Sequence, residues 1–144
     1  MKDPIFARAE FLASNMKRQN VQSVILLILY DLRIPVNCDG FGYLKHAILI
    51  ASQVTTQIVE TEIFDAVGNL YSPKVSFRNM DTAVHSAIQK AWKTRVDDRW
   101  EQYLPEYLTK RRKPPSNLEF ICAIVYFLEF WQDCYEKEAS YETA

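Results

Sequence analysis

A chain of 144 residues, 49% of them apolar, is long enough to bury one core and too apolar to be disordered throughout. Three glycines leave no phosphate-cradling loop, three cysteines show no metal-ligand or pairing spacing, and the longest apolar run, Phe120 to Leu128, is too short to cross a bilayer. The net charge of −1 is no nucleic-acid signature in itself, but Lys74 to Arg95 holds five bases against one acid, Lys110 to Lys113 is wholly basic, and the tail from Glu129 is acidic.

Asp3-Pro4 is a helix start, a capping carboxylate followed by a proline in the first turn. The spacing of Ile5, Ala9, Leu12 and Met16 predicts a helix from Pro4 to Met16, broken by Lys17 to Asn20. A second helix is expected from Val21 to Leu32, deeply buried through Val24 to Leu29 and ended by Ile34-Pro35. Asp39-Gly40 reads as a turn, and Phe41 or Gly42 then opens a third helix reaching about Thr56, with Tyr43, Leu44, Ala47, Ile48 and Ala51 inward. A short helix is expected over Thr61 to Leu70, then a turn at Ser72-Pro73, with Ser76 capping the next helix.

That helix, Asn79 to Lys93, carries the clearest pattern in the chain. Met80, Ala83, Val84, Ala87, Ile88, Ala91 and Trp92 follow the i, i+3, i+4 series of one buried face. The stripe is mostly alanine at its middle, so a neighbouring helix can come close. Asn79, Thr82, His85, Ser86, Gln89 and Lys93 occupy the other face, polar and short. Two helices joined by a few residues, the second with a polar outer face, form a helix-turn-helix candidate, although the usual glycine of such a turn is missing. The plainer reading is an amphipathic helix with a solvated face.

Val96 to Leu108 reads as a helix interrupted at Pro105, with Trp100, Tyr103 and Tyr107 as core aromatics. Lys110, Arg111, Arg112 and Lys113 form a basic loop, either solubilising or a phosphate clamp. Ser116 and Glu119 make a capping box, opening a last helix from Asn117 to about Glu136 that is apolar nearly all round. Such a helix must lie centrally or turn one face to a partner. The expected architecture is all-α: residues 1–20 a helical extension, 21–136 about six helices containing the helix-turn-helix, and 137–144 a frayed tail, in one domain. His46 and His85 share no ligand or catalytic spacing, so neither an enzyme nor a cofactor is expected. An odd cysteine count and no signal peptide at Met1 fit the cytoplasm.

Three stretches in register then carry a resemblance. IPVNCDGFGYLKHAI (Ile34 to Ile48), AVHSAIQKAW (Ala83 to Trp92) and KPPSNLEFI (Lys113 to Ile121) are similar, in order and spacing, to the C-terminal effector domain of the stage-zero sporulation transcription factor. The similarity spans roughly Val21 to Leu128. It implies a six-helix DNA-binding domain that acts on promoter DNA as a dimer and contacts RNA polymerase. The chain departs from the family where base-contacting charges belong. The family has an arginine at the position of Asn79, basic residues at Thr82 and His85, and a histidine at Ser86. No segment is long enough for the family's receiver domain, so a standalone copy is expected.

Two readings follow. In the first, a transcriptional regulator sets Asn79, Thr82, His85, Ser86 and Gln89 against base edges in the major groove of double-stranded DNA. Lys74, Arg78, Lys90, Lys93, Lys110, Arg111, Arg112 and Lys113 then hold phosphates. In the second, the fold is kept as a protein-interaction module without DNA, with the last helix as a dimer or partner seam.

Overall fold

The computed structural model describes residues 3–15 and 20–143, and among these every regular element is a helix. The order is α1 (Pro4–Asn15), α2 (Val21–Asp31), α3 (Asp39–Ser52), α4 (Glu60–Gly68), α5 (Phe77–Lys93), α6 (Asp97–Glu101), α7 (Glu106–Thr109) and α8 (Asn117–Thr143). The expected end of the first helix at Met16 and the break over Lys17 to Gln19 lie outside the described residues.

The caps read from sequence are formed. Asp3 Oδ1 accepts from the Ile5 amide at 2.8 Å, and Ser76 Oγ accepts from the Asn79 amide at 3.2 Å. Ser116 Oγ accepts from the Glu119 amide at 3.1 Å, while Glu119 Oε1 accepts from the Ser116 amide at 2.9 Å, a reciprocal capping box. Asn20 adds a cap, its Oδ1 accepting from the Ser23 amide at 2.9 Å.

Helix α2 ends at Asp31, three residues before Ile34, and a backbone motif closes it. Arg33 adopts φ 62°, and the Ile34 amide donates back to the Leu29 carbonyl at 3.0 Å. This is the left-handed cap that usually takes glycine, so arginine carries some strain there.

Asp39-Gly40 is not a turn. Both residues belong to the first turn of α3, and Gly40 is buried against α5. A Cβ at Gly40 would fall inside contact distance of the Ala83 carbonyl oxygen and 2.8 Å from Ala87 Cβ. The neighbour admitted by the alanine stripe is therefore α3, and the third small residue of the contact is a glycine on that helix. At its other end α3 stops at Ser52, four residues short of Thr56. Val54, Thr55 and Thr56 are three β-branched residues in a row, which weaken a helix that has lost its buried stripe.

The connection between α4 and α5 also relies on a glycine, contrary to the expectation of none. Gly68 closes α4, and the returning chain lies on it: a Cβ would collide with the Val75 carbonyl oxygen, and the Val75 amide donates to the Gly68 carbonyl at 3.3 Å. Its role is close approach, since no glycine in the described residues has positive φ.

Pro105 divides the expected helix over Val96 to Leu108 more severely than anticipated. Only the single-turn pieces α6 and α7 form, because proline lacks an amide and biases Leu104 away from helix. Trp100 and Tyr103 are buried, whereas Tyr107, expected in the core, is 71% exposed.

Helix α8 runs to Thr143, beyond the expected Glu136, and lies centrally. It packs on α1, α3 and α5, which explains its apolar circumference without a partner. Phe120, Ile121, Ile124, Phe127, Leu128 and Trp131 are all buried along it. Helix α1 is pinned beyond its apolar face by Arg8, whose Nη2 meets Asp31 at 2.9 Å and whose Nε donates to Tyr103 Oη at 3.0 Å. The Tyr103 hydroxyl donates in turn to Asp31, and Arg99 reaches the same carboxylate at 3.3 Å. Burial first, then the bond to Asp31, pushes the Tyr103 phenol up, so it stays a neutral donor. This network ties α1, the end of α2 and the α6 region together.

The α3–α5 contact yields a sign test. By helix propensity alone, Gly40→Ala should stabilise by about 1 kcal/mol. The clash with Ala83 and Ala87 reverses this, and a net loss of about 1–3 kcal/mol is expected in urea denaturation.

Candidate nucleic-acid interface

Anchoring α5 through Met80, Val84, Ala87, Ile88, Ala91 and Trp92 fixes which way its remaining residues point. At about 100° per residue, Arg78, His85, Gln89, Thr82, Lys93, Ser86, Asn79 and Lys90 fall within one arc of about 140°. Asn79, Thr82, His85 and Gln89 are exposed, and Ser86 is half-buried. Among the described residues none of these five side chains makes a hydrogen bond within the protein, so their donors and acceptors are left to solvent. The N-terminal half of this face borders a groove of about 630 Å³ shared with α3, lined by Asp39, Tyr43, Arg78, Asn79, Thr82 and Ser86.

Asp81, the acid of α5, is turned away from this arc. The buried Asn117 side chain donates through Nδ2 to the Asp81 carbonyl at 3.0 Å and to its carboxylate at 2.9 Å, joining α5 to the start of α8. On that side the Glu60 carboxyl is pushed up, by burial first and then by the charge of Asp81. Neither acid lines the groove beside the polar arc.

The expected phosphate cations divide into two groups. Lys74 is held by Asp65 at 2.5 Å, and Lys110 by Glu101 at 2.7 Å. Arg111 folds onto Glu119 with both terminal nitrogens, one at 3.0 Å, and also reaches the Pro114 carbonyl at 3.4 Å. These three are engaged within the protein. Arg78, Lys90, Lys93, Arg112 and Lys113 are exposed, and no ion pair engages them among the described residues. Arg95, part of the basic stretch, is structural as well: it meets Asp97 at 3.1 Å, donates to the Trp92 carbonyl at 2.9 Å and lies 3.7 Å over the Trp92 ring.

Sequence reasoning missed Asp39 and Tyr43 as groove residues, and Asn117 as a strut of α5. The signal for the first two was Gly40 opposite the alanines of α5. A glycine in helical register against a small-residue stripe brings its own neighbours to the edge of that helix. No described helix is long and apolar enough to cross a membrane, and no described cluster of His, Cys, Asp or Glu could hold a metal ion.

Residues 25–128 match the family described as sporulation initiation factor Spo0A C terminal. The match takes in α3, α4, α5 and the first part of α8, and leaves α1 outside. No curated protein matches the chain.

Glu119 anchors the basic loop, and its titration is a measurable consequence. Two bonds from Arg111, then the Ser116 amide, hold its carboxyl down to about 2 from an ordinary 4.5. A folded value below the unfolded one stabilises above the unfolded value, and that stabilisation is lost as pH falls through the folded value. Glu119→Gln keeps the capping box but loses the charge paired with Arg111, and should cost about 1 kcal/mol at neutral pH, the scale of a surface ion pair. In thermal melts the wild-type advantage should close between pH 4.5 and 2.

Proposed function

Given that this chain belongs to the family of the sporulation initiation factor Spo0A C-terminal domain, we propose that it is a transcriptional regulator that binds double-stranded promoter DNA with α5 in the major groove. Helices α4 and α5 form the helix-turn-helix in this reading, and Gly68 lets their connection close. One observation carries the reading. The outer face of α5 presents polar side chains that make no hydrogen bond within the described residues, flanked by cations that no carboxylate engages.

Asn79, Thr82, His85, Ser86 and Gln89 are assigned to base edges. Amides such as Asn79 and Gln89 can pair with the N6 and N7 edge of adenine, while the arginine that the resemblance implies at the position of Asn79 is gone. The phosphate set narrows to Arg78, Lys90, Lys93, Arg112 and Lys113, with Lys74, Lys110 and Arg111 left in their structural pairs. Counterion release through such contacts supplies affinity independent of sequence.

A protein-only module is favoured less, because burial of α8 between α1, α3 and α5 removes the need for an external seam. A second copy or RNA polymerase, the protein partners implied by the resemblance, would have exposed Phe6 and Tyr126 on the α1–α8 side available.

Fluorescence anisotropy with a 20-base-pair duplex of mixed sequence tests the reading. Binding at about 50 mM salt is expected, weakening steeply by about 200 mM. A Lys90→Ala/Lys93→Ala double variant should flatten the log–log salt slope by nearly two, about 0.9 for each lost phosphate contact. Absence of binding at the lower salt would overturn the assignment.

A further inference from the structure

The polar arc of α5 is bordered by one acid that the DNA reading does not use. Asp39 is exposed, forms no ion pair or side-chain hydrogen bond among the described residues, and lines the same groove as Arg78, Asn79, Thr82 and Ser86. Its position is not adaptable. Gly40, the next residue, is wedged against the Ala83 carbonyl and Ala87, so the start of α3 is held to the flank of α5. The only other cation in the groove wall, Lys74, is already taken by Asp65. This flank therefore sets Asp39 against Arg78 with little positive charge left over.

The field of Asp39 reaches the aromatic wall of the groove. The Tyr43 phenol is pushed up, by burial first and then by the Asp39 charge, and the Tyr71 phenol follows the same trend with Asp39 as a lesser contributor. The two rings meet edge to face at 5.2 Å, which ties Tyr71 to the same wall.

We propose that Asp39 is an affinity-limiting residue of the α5 face: its carboxylate opposes the phosphates along the edge of the groove and holds down affinity for duplex DNA of any sequence. The inference rests on the DNA-binding reading and deepens it. A duplex carries about one charge per 1.7 Å of axis, so an acid fixed beside the reading face lies within the roughly 10 Å Debye length at 0.1 M salt. Base contacts contribute only on the right sequence, whereas phosphate attraction contributes on every sequence. An acid that weakens the second without touching the first lowers affinity for every duplex alike, so it sets how tightly the face holds DNA and not which sequence it prefers.

An alternative role is structural: an acid in the first turn of α3 is favoured by the helix dipole. The test separates the two. Asp39→Asn is compared with wild type on a mixed-sequence 20-base-pair duplex, alongside Asp133→Asn as a charge-matched control. Asp133 lies on α8 about 24 Å along the helix from Asn117, the residue that touches α5. Asp39→Asn should tighten binding about three- to tenfold at 50 mM salt, with the gap shrinking by about 300 mM as the Debye length shortens. Asp133→Asn should stay within about twofold of wild type. If wild type binds and Asp39→Asn binds no tighter, or only its melting temperature changes, this inference fails and the DNA reading stands. An equal gain for Asp133→Asn would reduce the effect to net charge and overturn it. If neither wild type nor Asp39→Asn binds, both fall together.

Discussion

The structure turns on one contact between small residues. Gly40 of α3 meets the backbone and Cβ of Ala83 and Ala87 on α5, closer than any side chain would allow. Large apolar residues could hold two helices together at ordinary spacing, but they would leave the rotation of α5 free to settle among several packings. Backbone against backbone admits few alternatives. It sets the rotation of α5, and thereby decides that Asn79, Thr82, His85 and Gln89 meet solvent while Val84, Ile88 and Trp92 meet the core. It also brings Asp39 and Tyr43 to the rim of the same face.

Around this contact the charges are sorted. Asp81 is drawn toward Asn117 at the start of α8, away from the arc. Arg95 is folded over Trp92, and Lys74, Lys110 and Arg111 are each closed on a carboxylate nearby in the chain. Surface pairs of this kind add little stability individually, but they remove cations from the pool available to a polyanion. Among the described residues Arg78, Lys90 and Lys93 stay unpaired on α5 itself. Net charge near zero thus coexists with a locally basic helix. The central burial of α8, with α1 laid along it, puts the bulk of the hydrophobic energy on the far side of that helix, where it supports the reading face without covering it.

Much of this was legible beforehand, and the reasons differ by feature. The caps at Asp3, Ser76 and Ser116 are local chemistry, complete within four residues, so composition and spacing suffice. The α5 stripe is periodic over three turns and survives any tertiary context. Asp39-Gly40 failed because a glycine after an aspartate is a turn signal locally, and only the partner helix reveals that it is a packing glycine. Gly68 was overlooked for the same reason, since its partner Val75 lies beyond the end of the helix. Which basic residues are engaged was equally out of reach. Lys74 and Asp65 are nine residues apart and meet only once the connection after α4 folds back on that helix. The family was visible in three short motifs, and the match over residues 25–128 bears it out.

The central claim is that the exposed arc of α5 is the surface that meets DNA. A titration of the ¹⁵N-labelled protein with a mixed-sequence duplex at about 50 mM salt, followed by amide chemical shifts, addresses it most directly. The account expects the largest changes at Arg78, Asn79, Thr82, His85, Ser86, Gln89 and Lys93, with Ala9 and Leu12 in α1 and Phe127 in α8 unmoved. Shifts that cluster on Phe6, Tyr126 and their neighbours while α5 stays silent would contradict it.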